Sequence, residues 1–352
     1  MLSRRALVGG GMALALPSYG YAGTARDPRR AAIDALALPA DFRGAIGYGR
    51  SGRIEHIRCV GMADSENDVA ITPATQFKCG SASKWLSSAA VLRLVDQHRL
   101  SLGVPITTYL PDFRGDTGAQ VTLLHLLSNT SGIPDLLTRQ LAVEPELRRA
   151  AAIPAAIVAR FAGGDLAFAP GTGWDYAALN WVIVAAIVER VTGRPFADAV
   201  ASLVFRPLGM ADTGFAQLGS AAMPRLAAAY ANTAPPTRKM PAAPAFVAAT
   251  GNVATTLADA VRAAQGIFDQ RFLSAASRQA LATVRWPEQD YALGGRVHLI
   301  DGERWGWETG KVGGYRAHVA HRIGRGETIV VFNTSDMDQQ AIGHWIEAIA
   351  RA

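Results

Sequence analysis

Strand-forming segments lie at both ends of this chain, and a long helical stretch separates them. Residues 44–48 and 53–60 are predicted strands joined by a Gly-Arg-Ser-Gly turn, and strands return after residue 290. A sheet must bury a face against other elements, so we expect the two ends to form one sheet with helices packed on it. The predicted fold class is therefore α+β, an antiparallel sheet flanked by helices with an inserted all-helical lobe.

The C-terminal strands are predicted from alternating and apolar runs separated by short Gly-containing turns, which make them antiparallel neighbours. Their predicted bounds are 291–300, 305–310, 315–323 and 328–333. Helices are predicted at 27–36, from Ser81 to about His98, at 176–192 ending at Gly193, and from about Asp338. These elements place a sheet lobe at about 23–82 and 246–352 and a helical lobe at about 83–245, within one domain from residue 23 to 352.

Residues 1–22 have the three-part pattern of an export signal. Arg4 and Arg5 form a twin-arginine pair, residues 6–16 are apolar, and a small-residue site follows at 20–22. The apolar run is short for a stable membrane span, although an uncleaved anchor is the alternative. No later segment is long and apolar enough to cross a membrane. We expect a bacterial protein that is periplasmic or secreted through twin-arginine export.

The composition, 49% hydrophobic and 18% charged over 352 residues, is typical of a globular protein. The formal net charge of +6 comes from dispersed arginines, without a basic run interleaved with aromatic residues, so no nucleic-acid partner is expected. The sequence contains no phosphate loop and no His-rich ligand motif. His318 and His321, three apart on a predicted strand, would point to opposite faces. We therefore expect no metal and no other cofactor.

Cys59 and Cys79 are the two cysteines of the chain. Both lie on or beside predicted strands, so the sequence allows either a disulfide or two buried thiols in an oxidising compartment. Cys79 lies two residues before Ser81, but no local partner accompanies it as a nucleophile.

Ser81 and Lys84 are the first candidates for catalytic residues, because residues three apart in a helical turn share a face. A serine hydroxyl becomes a useful nucleophile when a nearby base takes its proton. A lysine can be that base when burial and neighbouring charges favour its neutral form. Among the four lysines of the chain, Lys84 alone has a serine three positions before it. The pattern Ser-x-x-Lys is weak by itself, and its meaning depends on three further motifs.

These motifs follow in order along the chain. Residues 77–84 read F-K-C-G-S-A-S-K, residues 122–134 read T-L-L-H-L-L-S-N-T-S-G-I-P, residues 170–178 read P-G-T-G-W-D-Y-A-A, and residues 308–315 read E-T-G-K-V-G-G-Y. Together they resemble the class C β-lactamase family and its relatives, the DD-peptidases, D-aminopeptidases and esterases of the same fold. Each motif alone is weak, but four in the family's order and spacing are specific.

The resemblance implies acyl transfer through a serine ester. Ser81 would attack a carbonyl carbon, and Lys84 and Tyr176 would form the proton relay. The backbone N–H groups of Ser81 and Lys311 would form the oxyanion hole. The substrate-binding strand would consist of Glu308, Thr309, Gly310 and Lys311.

Two positions depart from the family pattern. Ala178 stands where the family has an asparagine that binds a substrate carbonyl, and Glu308 stands where the family has a lysine that attracts a substrate carboxylate. A carboxylate at residue 308 would repel such a group. Glu308 could instead pair with a substrate amine or a nearby arginine, or face solvent. Asn180 and His125 are interpreted as structural residues.

The sequence therefore predicts an exported serine hydrolase that acts on an ester or amide through a Ser81 acyl-enzyme. Its partner would be a small-molecule or peptide substrate. A β-lactamase or D-Ala-D-Ala carboxypeptidase is the first alternative. The second is an inactive relative that binds a cell-wall or peptide ligand, favoured by Glu308 and Ala178 but disfavoured by intact Ser81, Lys84 and Tyr176.

Overall fold

One six-stranded antiparallel sheet joins the two ends of the chain. In the computed structural model, which describes residues 27–216, 223–239 and 243–352, the strands are β1 (Gly44–Arg50), β2 (Arg53–Val60), β3 (Met62–Asp64), β4 (Val69–Ala70), β5 (Phe77–Lys78), β6 (Gly214–Phe215), β7 (Tyr230–Ala231), β8 (Thr237–Arg238), β9 (Val253–Thr255), β10 (Arg296–Ile300), β11 (Glu303–Val312), β12 (Tyr315–Arg322) and β13 (Glu327–Asn333). The order in the large sheet is β10-β11-β12-β13-β1-β2. The first strand pairs with the last, Gly44 opposite Asn333, so the two ends of the chain share one sheet, as the sequence predicted.

Helices cover both faces of this sheet and fill the middle of the chain. They are α1 (Pro28–Ala35), α2 (Lys84–Asp96), α3 (Gly115–Gly118), α4 (Leu123–Leu127), α5 (Leu136–Val143), α6 (Pro154–Phe161), α7 (Ala178–Thr192), α8 (Phe196–Val200), α9 (Ala248–Gly251), α10 (Leu257–Phe268), α11 (Ala275–Ala282) and α12 (Gln339–Arg351). Short 3₁₀ turns occur at Gly80–Ser83, Ile106–Thr108, Pro145–Arg149, Ala245–Val247 and Pro287–Gln289, and a π turn occurs at Ala201–Phe205. The α+β fold class is confirmed, and the lobe boundaries near residues 82 and 246 stay a prediction.

Two hydrophobic clusters hold the layers together. Helices α1 and α12 pack on one face of the sheet, where Ile342, Ile346 and Ile349 of α12 are fully buried. Helix α10 packs on the opposite face, against β13, β1 and β2. Burial of aliphatic side chains between these layers removes apolar area from water, at about 25 cal/mol per Å². The spacing of the apolar residues in α12 is the one predicted from the sequence.

Helix α2 is the buried central helix that the sequence predicted, although its ends differ. It begins at Lys84 after a 3₁₀ turn, and it ends at Asp96, two residues before His98, whose φ of 56° is left-handed. Helix α7 ends as predicted at Gly193, which has φ 68°. A right-handed helix cannot continue through a residue with positive φ, so both positions terminate helical geometry.

The strand predicted at 291–300 was too long at its start. Strand β10 begins at Arg296, because Gly294 adopts φ 81° and its N–H donates to the carbonyl of Leu127. An extended strand cannot continue through that conformation. The segment before β10 therefore bends toward the helical part of the fold, and Tyr291 comes to lie fully buried there.

Several predictions about isolated residues can now be checked. Cys59 and Cys79 are separate thiols, which decides between the two alternatives left open by the sequence. His318 contacts Trp307 and His321 stacks on Phe268, on the two opposite faces of the sheet, as expected.

Among the described residues, no three or more His, Cys, Asp or Glu side chains are grouped so that they could hold a metal ion. No helix in the described part of the chain is long and apolar enough to span a membrane. The export signal predicted at 1–22 lies outside the described residues.

Candidate active site

Ser81, in the 3₁₀ turn that precedes α2, and Lys84, the first residue of α2, lie against each other. The Nζ atom of Lys84 lies 3.0 Å from the Oγ atom of Ser81. A 3₁₀ turn has three residues per turn, so side chains three apart lie almost directly above one another. Lys84 is 3% exposed, and its amine contacts protein groups on both sides. The local geometry therefore suits proton transfer from the serine hydroxyl to the lysine amine.

A carbonyl and two aromatic rings fix the position of the Lys84 side chain. Its Nζ donates to the backbone carbonyl of Thr250, at the end of α9. The same nitrogen lies 5.0 Å from the ring centroid of Tyr176 and 5.6 Å from that of Trp181. A neutral amine can donate to Thr250 and still accept the Ser81 proton with its lone pair. The side chain is thus held toward Ser81 in either protonation state.

The turn containing Ser81 makes close backbone contact with strand β11. An ideal Cβ on Gly310 would lie 1.8 Å from the carbonyl oxygen of Cys79, so a side chain cannot be accommodated there. Gly80 has φ 51°, and a Cβ on it would lie 2.7 Å from the backbone nitrogen of Lys311. Both glycines are required for this approach. It brings the Lys311 amide beside the Gly80–Ser81 peptide.

Tyr176 lies over Lys84, two residues before α7 begins. It is 38% exposed, and its ring lies 6.1 Å from the buried ring of Tyr291 and 6.0 Å from that of Trp174. The backbone N–H of Ala178 donates to the Asp135 carboxylate at 2.7 Å, which ties the start of α7 to the start of α5. The Tyr176 ring therefore lies beside Lys84 and stays partly exposed.

Glu308 is buried and paired with an arginine. Nη1 of Arg296, on the neighbouring strand β10, donates to both carboxylate oxygens of Glu308 at 3.1 and 3.0 Å. Glu308 is 1% exposed, so it does not face solvent. Burial raises the pKa of its carboxyl to about 7, and the charges of Arg296 and Lys84 oppose that rise. The sequence left three possibilities for Glu308, namely a substrate amine, a nearby arginine or solvent. In the structure Glu308 pairs with an arginine.

Asn180 and His125, which the sequence analysis interpreted as structural residues, make hydrogen bonds within the fold. Asn180 is buried, accepts from Ser131 Oγ at 2.6 Å and donates to Asn129 at 3.3 Å. It therefore does not replace the amide missing at Ala178. His125 caps the short helix α4 together with Thr122, and burial lowers the pKa of its imidazole.

The structure brings together most residues that the motifs singled out. Lys84 contacts Ser81 and lies over the Tyr176 ring, and the backbone of residues 310–311 lies beside the turn that contains Ser81. Thr309 is half-buried opposite His318, and the Lys311 side chain is exposed.

Sequence reasoning did not find Arg296, Thr250 or Tyr291. Arg296 and Tyr291 belong to a segment that was interpreted only as a strand, and Thr250 contributes a backbone carbonyl. One signal could have indicated Arg296. Glu308 is a carboxylate where the family has a lysine, and a buried carboxylate needs a cationic partner.

Comparisons with known proteins agree with this geometry. The Beta-lactamase family model matches residues 37–350. Esterase EstB of Burkholderia gladioli is 34% identical over 225 residues, 54% of this chain and 54% of its own length. The putative penicillin-binding protein PbpX of Bacillus subtilis is 30% identical over 174 residues, 49% of this chain and 41% of its own length. The matched region spans about half the length of these curated relatives or less.

Solved structures share the fold at lower identity. The D-amino acid amidase of Ochrobactrum anthropi, in complex with L-phenylalanine amide, superposes with a TM-score of 0.77 at 19% identity, covering 92% of this chain and 96% of the amidase. A penicillin-binding protein from Bacillus halodurans gives a TM-score of 0.75 at 21% identity, covering 88% and 96%. At these identities the likeness establishes the fold alone.

Proposed function

Because this chain belongs to the Beta-lactamase family, we propose that it is an exported serine hydrolase that forms an acyl-enzyme at Ser81 on an ester or amide substrate. The observation that carries the proposal is the 3.0 Å contact between Lys84 Nζ and Ser81 Oγ, with Lys84 buried. A buried lysine beside a serine hydroxyl is the arrangement that an activated nucleophile requires.

In the proposed acylation, Lys84 accepts the proton of Ser81 as Oγ bonds to the substrate carbonyl carbon. The negative charge then forms on the carbonyl oxygen, between the N–H groups of Ser81 and Lys311. Each preorganised donor of this kind contributes about 2.7–4 kcal/mol to lowering the barrier. The proton on Lys84 passes to the leaving alkoxide or amine as the carbonyl–heteroatom bond breaks, and the ester of Ser81 remains.

In the proposed deacylation, water attacks the Ser81 ester and gives its proton to the Lys84–Tyr176 pair. The tetrahedral intermediate collapses by breaking the bond to Ser81 Oγ, which takes a proton back from Lys84. The position of the Tyr176 ring, 5.0 Å from Lys84 Nζ and partly exposed, supports a role at the water-facing side. No step requires a cofactor.

Two residues favour esters or amides without an adjacent carboxylate. Ala178 offers no side-chain amide to a substrate carbonyl, and Glu308 replaces the cation that would attract a carboxylate. The Glu308–Arg296 pair has no formal net charge, which favours neutral substrates over anionic ones. Penicillin and D-Ala-D-Ala hydrolysis are for this reason the alternatives and not the first choice.

Intact-mass spectrometry of the purified protein tests the proposal. We expect a fluorophosphonate to add one adduct that is absent from Ser81→Ala, and we expect benzylpenicillin to add none. A Ser81-dependent penicillin adduct would instead support the β-lactamase or carboxypeptidase alternative. If neither reagent adds mass, the inactive ligand-binding alternative is favoured and the hydrolase proposal fails.

We also propose export through a twin-arginine signal at residues 1–22, which places the mature protein in the periplasm or outside the cell. N-terminal sequencing of the protein from cell fractions tests this, with Arg4→Lys and Arg5→Lys combined as the variant. Cleavage near residue 22 that the double variant prevents is the expected result. An unprocessed protein in the cytoplasmic fraction would contradict it.

A further inference from the structure

The start of helix α7 is buried and has no capping side chain of its own. Its N-cap residue is Ala177, which is 1% exposed and whose methyl group cannot accept a hydrogen bond. The first N–H groups of a helix have no partner within the helix, so buried ones need acceptors from elsewhere. Tyr176 directly precedes Ala177. The group that caps α7 therefore also bears on the position of Tyr176.

Asp135 supplies this cap from another helix. It is the N-cap residue of α5, where its Oδ1 accepts from the backbone N–H of Thr138 at 3.0 Å. Its Oδ2 accepts from the Thr138 hydroxyl at 2.6 Å and from the backbone N–H of Ala178, the first residue of α7, at 2.7 Å. One carboxylate thus caps two helices and uses a different oxygen for each backbone N–H. A negative charge at a helix N-terminus also interacts favourably with the helix dipole.

A second hydrogen bond holds the chain on the other side of Tyr176. The backbone N–H of Asp175 donates to the backbone carbonyl of Asn129 at 3.0 Å. Asn129 is fully buried, and it lies in the loop that leads to Asp135. Tyr176 therefore lies between two anchored peptide groups, and its ring centroid is 5.0 Å from the Nζ atom of Lys84.

We propose that Asp135 is a positioning residue that caps α7 and thereby holds Tyr176 over Lys84. The inference rests on the proposed function, which gives Tyr176 a part in deacylation. Asp135 acts through the backbone of Ala178 and transfers no proton itself.

The physical reason is that proton transfer depends steeply on distance. A misplacement of about 1 Å in a reacting group can cost on the order of 10²-fold in rate. Without an acceptor, the Ala178 N–H has to find water, so the first turn of α7 unwinds and Tyr176 moves with it. The contacts of Lys84 with Ser81 and Thr250 involve other elements. Loss of the Asp135 cap should therefore slow deacylation and spare the activation of Ser81.

Asp135→Ser separates the two caps. Serine is a good N-cap and can keep the bond to the Thr138 N–H, but it has a single oxygen and leaves Ala178 without an acceptor. The acetyl-enzyme at Ser81 is formed with p-nitrophenyl acetate, and intact-mass spectrometry follows its decay after the ester is removed. We expect its half-life to lengthen by about 10- to 10²-fold in Asp135→Ser. The rate of fluorophosphonate labelling of Ser81 should stay unchanged.

Three further variants make the test specific. Thr138→Val removes the hydroxyl bond to Asp135 and keeps the contact with Ala178, so the half-life should not change. Asp338→Ser makes the same chemical change at the N-cap of α12 and should also leave it unchanged. Asp135→Ser combined with Tyr176→Phe should decay no more slowly than Tyr176→Phe alone, because the hydroxyl that the cap positions is already absent. Asp135→Thr, another cap with one oxygen, replaces Asp135→Ser if that variant folds poorly.

Three results would overturn the inference while the proposed function stands. They are a half-life in Asp135→Ser no longer than in Thr138→Val, a parallel loss of labelling and deacylation, and full additivity with Tyr176→Phe. Absence of Ser81 labelling in the unmodified protein would instead overturn the proposed function, and the inference would fall with it. The two failures are therefore distinguishable in one set of measurements.

Discussion

The Cα of Gly80 faces the backbone nitrogen of Lys311 so closely that a Cβ would lie 2.7 Å from it. This contact sets the distance between the turn that carries Ser81 and the strand that carries the second proposed oxyanion donor. Gly80 also has φ 51°, a conformation that disfavours every residue with a side chain. Gly80 thus permits both the backbone conformation of the turn and the close approach of the Lys311 amide to it.

Replacing Gly80 with alanine should separate the two N–H donors. We expect fluorophosphonate labelling of Ser81 to slow by about 10²- to 10³-fold, the effect of losing one oxyanion donor. Gly103→Ala is the matched control, because Gly103 has open space around it and should label at the normal rate. Equal labelling of Gly80→Ala and Gly103→Ala would contradict the assignment of Lys311 as a donor.

Removing the amine of Lys84 should leave Ser81 without its base. Lys84→Met keeps most of the buried stem, and we expect labelling to slow by about 10²- to 10⁴-fold. Lys239→Met removes a surface lysine that pairs with Asp336 and serves as the control. Thermal unfolding of both variants checks that the fold is intact. A Lys84→Met protein that labels normally would rule out Lys84 as the general base.

Two substitutions separate the hydroxyl of Tyr176 from its ring. Tyr176→Phe keeps the ring contact with Lys84, whereas Tyr176→Leu removes it. If the hydroxyl transfers protons, both variants should accumulate the acyl-enzyme with a chromogenic ester, because deacylation slows by at least about 10²-fold. Burst kinetics measure this directly. Steady turnover in Tyr176→Phe, with loss only in Tyr176→Leu, would assign the role to the ring.

Acid should destabilise this protein through His318. Its ring is 1% exposed and neither ring nitrogen has a hydrogen-bond partner among the described residues. Burial lowers the pKa of His318 from 6.5 to about 3. The unfolded chain therefore binds more protons between those values, and the free energy of unfolding falls as pH drops from about 6.5 toward 3.

The substitution His318→Leu should remove this dependence, on the order of a few kcal/mol over that window. Chemical denaturation at a series of pH values measures it, and His344→Leu in exposed surroundings is the control. An unchanged slope in His318→Leu would mean that other groups cause the acid sensitivity.

The two cysteines should remain thiols in the purified protein. Cys79 is buried, and burial raises the pKa of both thiols, to about 11 for Cys59 and to about 12 for Cys79. Alkylation after denaturation without reductant should therefore add two groups. Alkylation that requires prior reduction would show a disulfide and contradict the separate thiols of the structure.

Local patterns were sufficient for much of the fold and for the family. The four motifs led to the assignment that the family match confirms, and the shared sheet followed from strands at both chain ends. Helix ends were predicted best where a glycine in left-handed conformation stops the helix, as at Gly193. The start of β10 was mispredicted, because the turn at Gly294 depends on a hydrogen bond to Leu127.

The sequence by itself determined Ser81 and Lys84 as a pair, since three residues in a helical turn bring their side chains together without help from the rest of the chain. Only the tertiary structure decided what surrounds that pair. Arg296 reaches Glu308, and Thr250 reaches Lys84 from 166 residues away, through the packing of separate elements. Such contacts form because buried charges and donors must be satisfied, and no local pattern specifies which distant group will satisfy them.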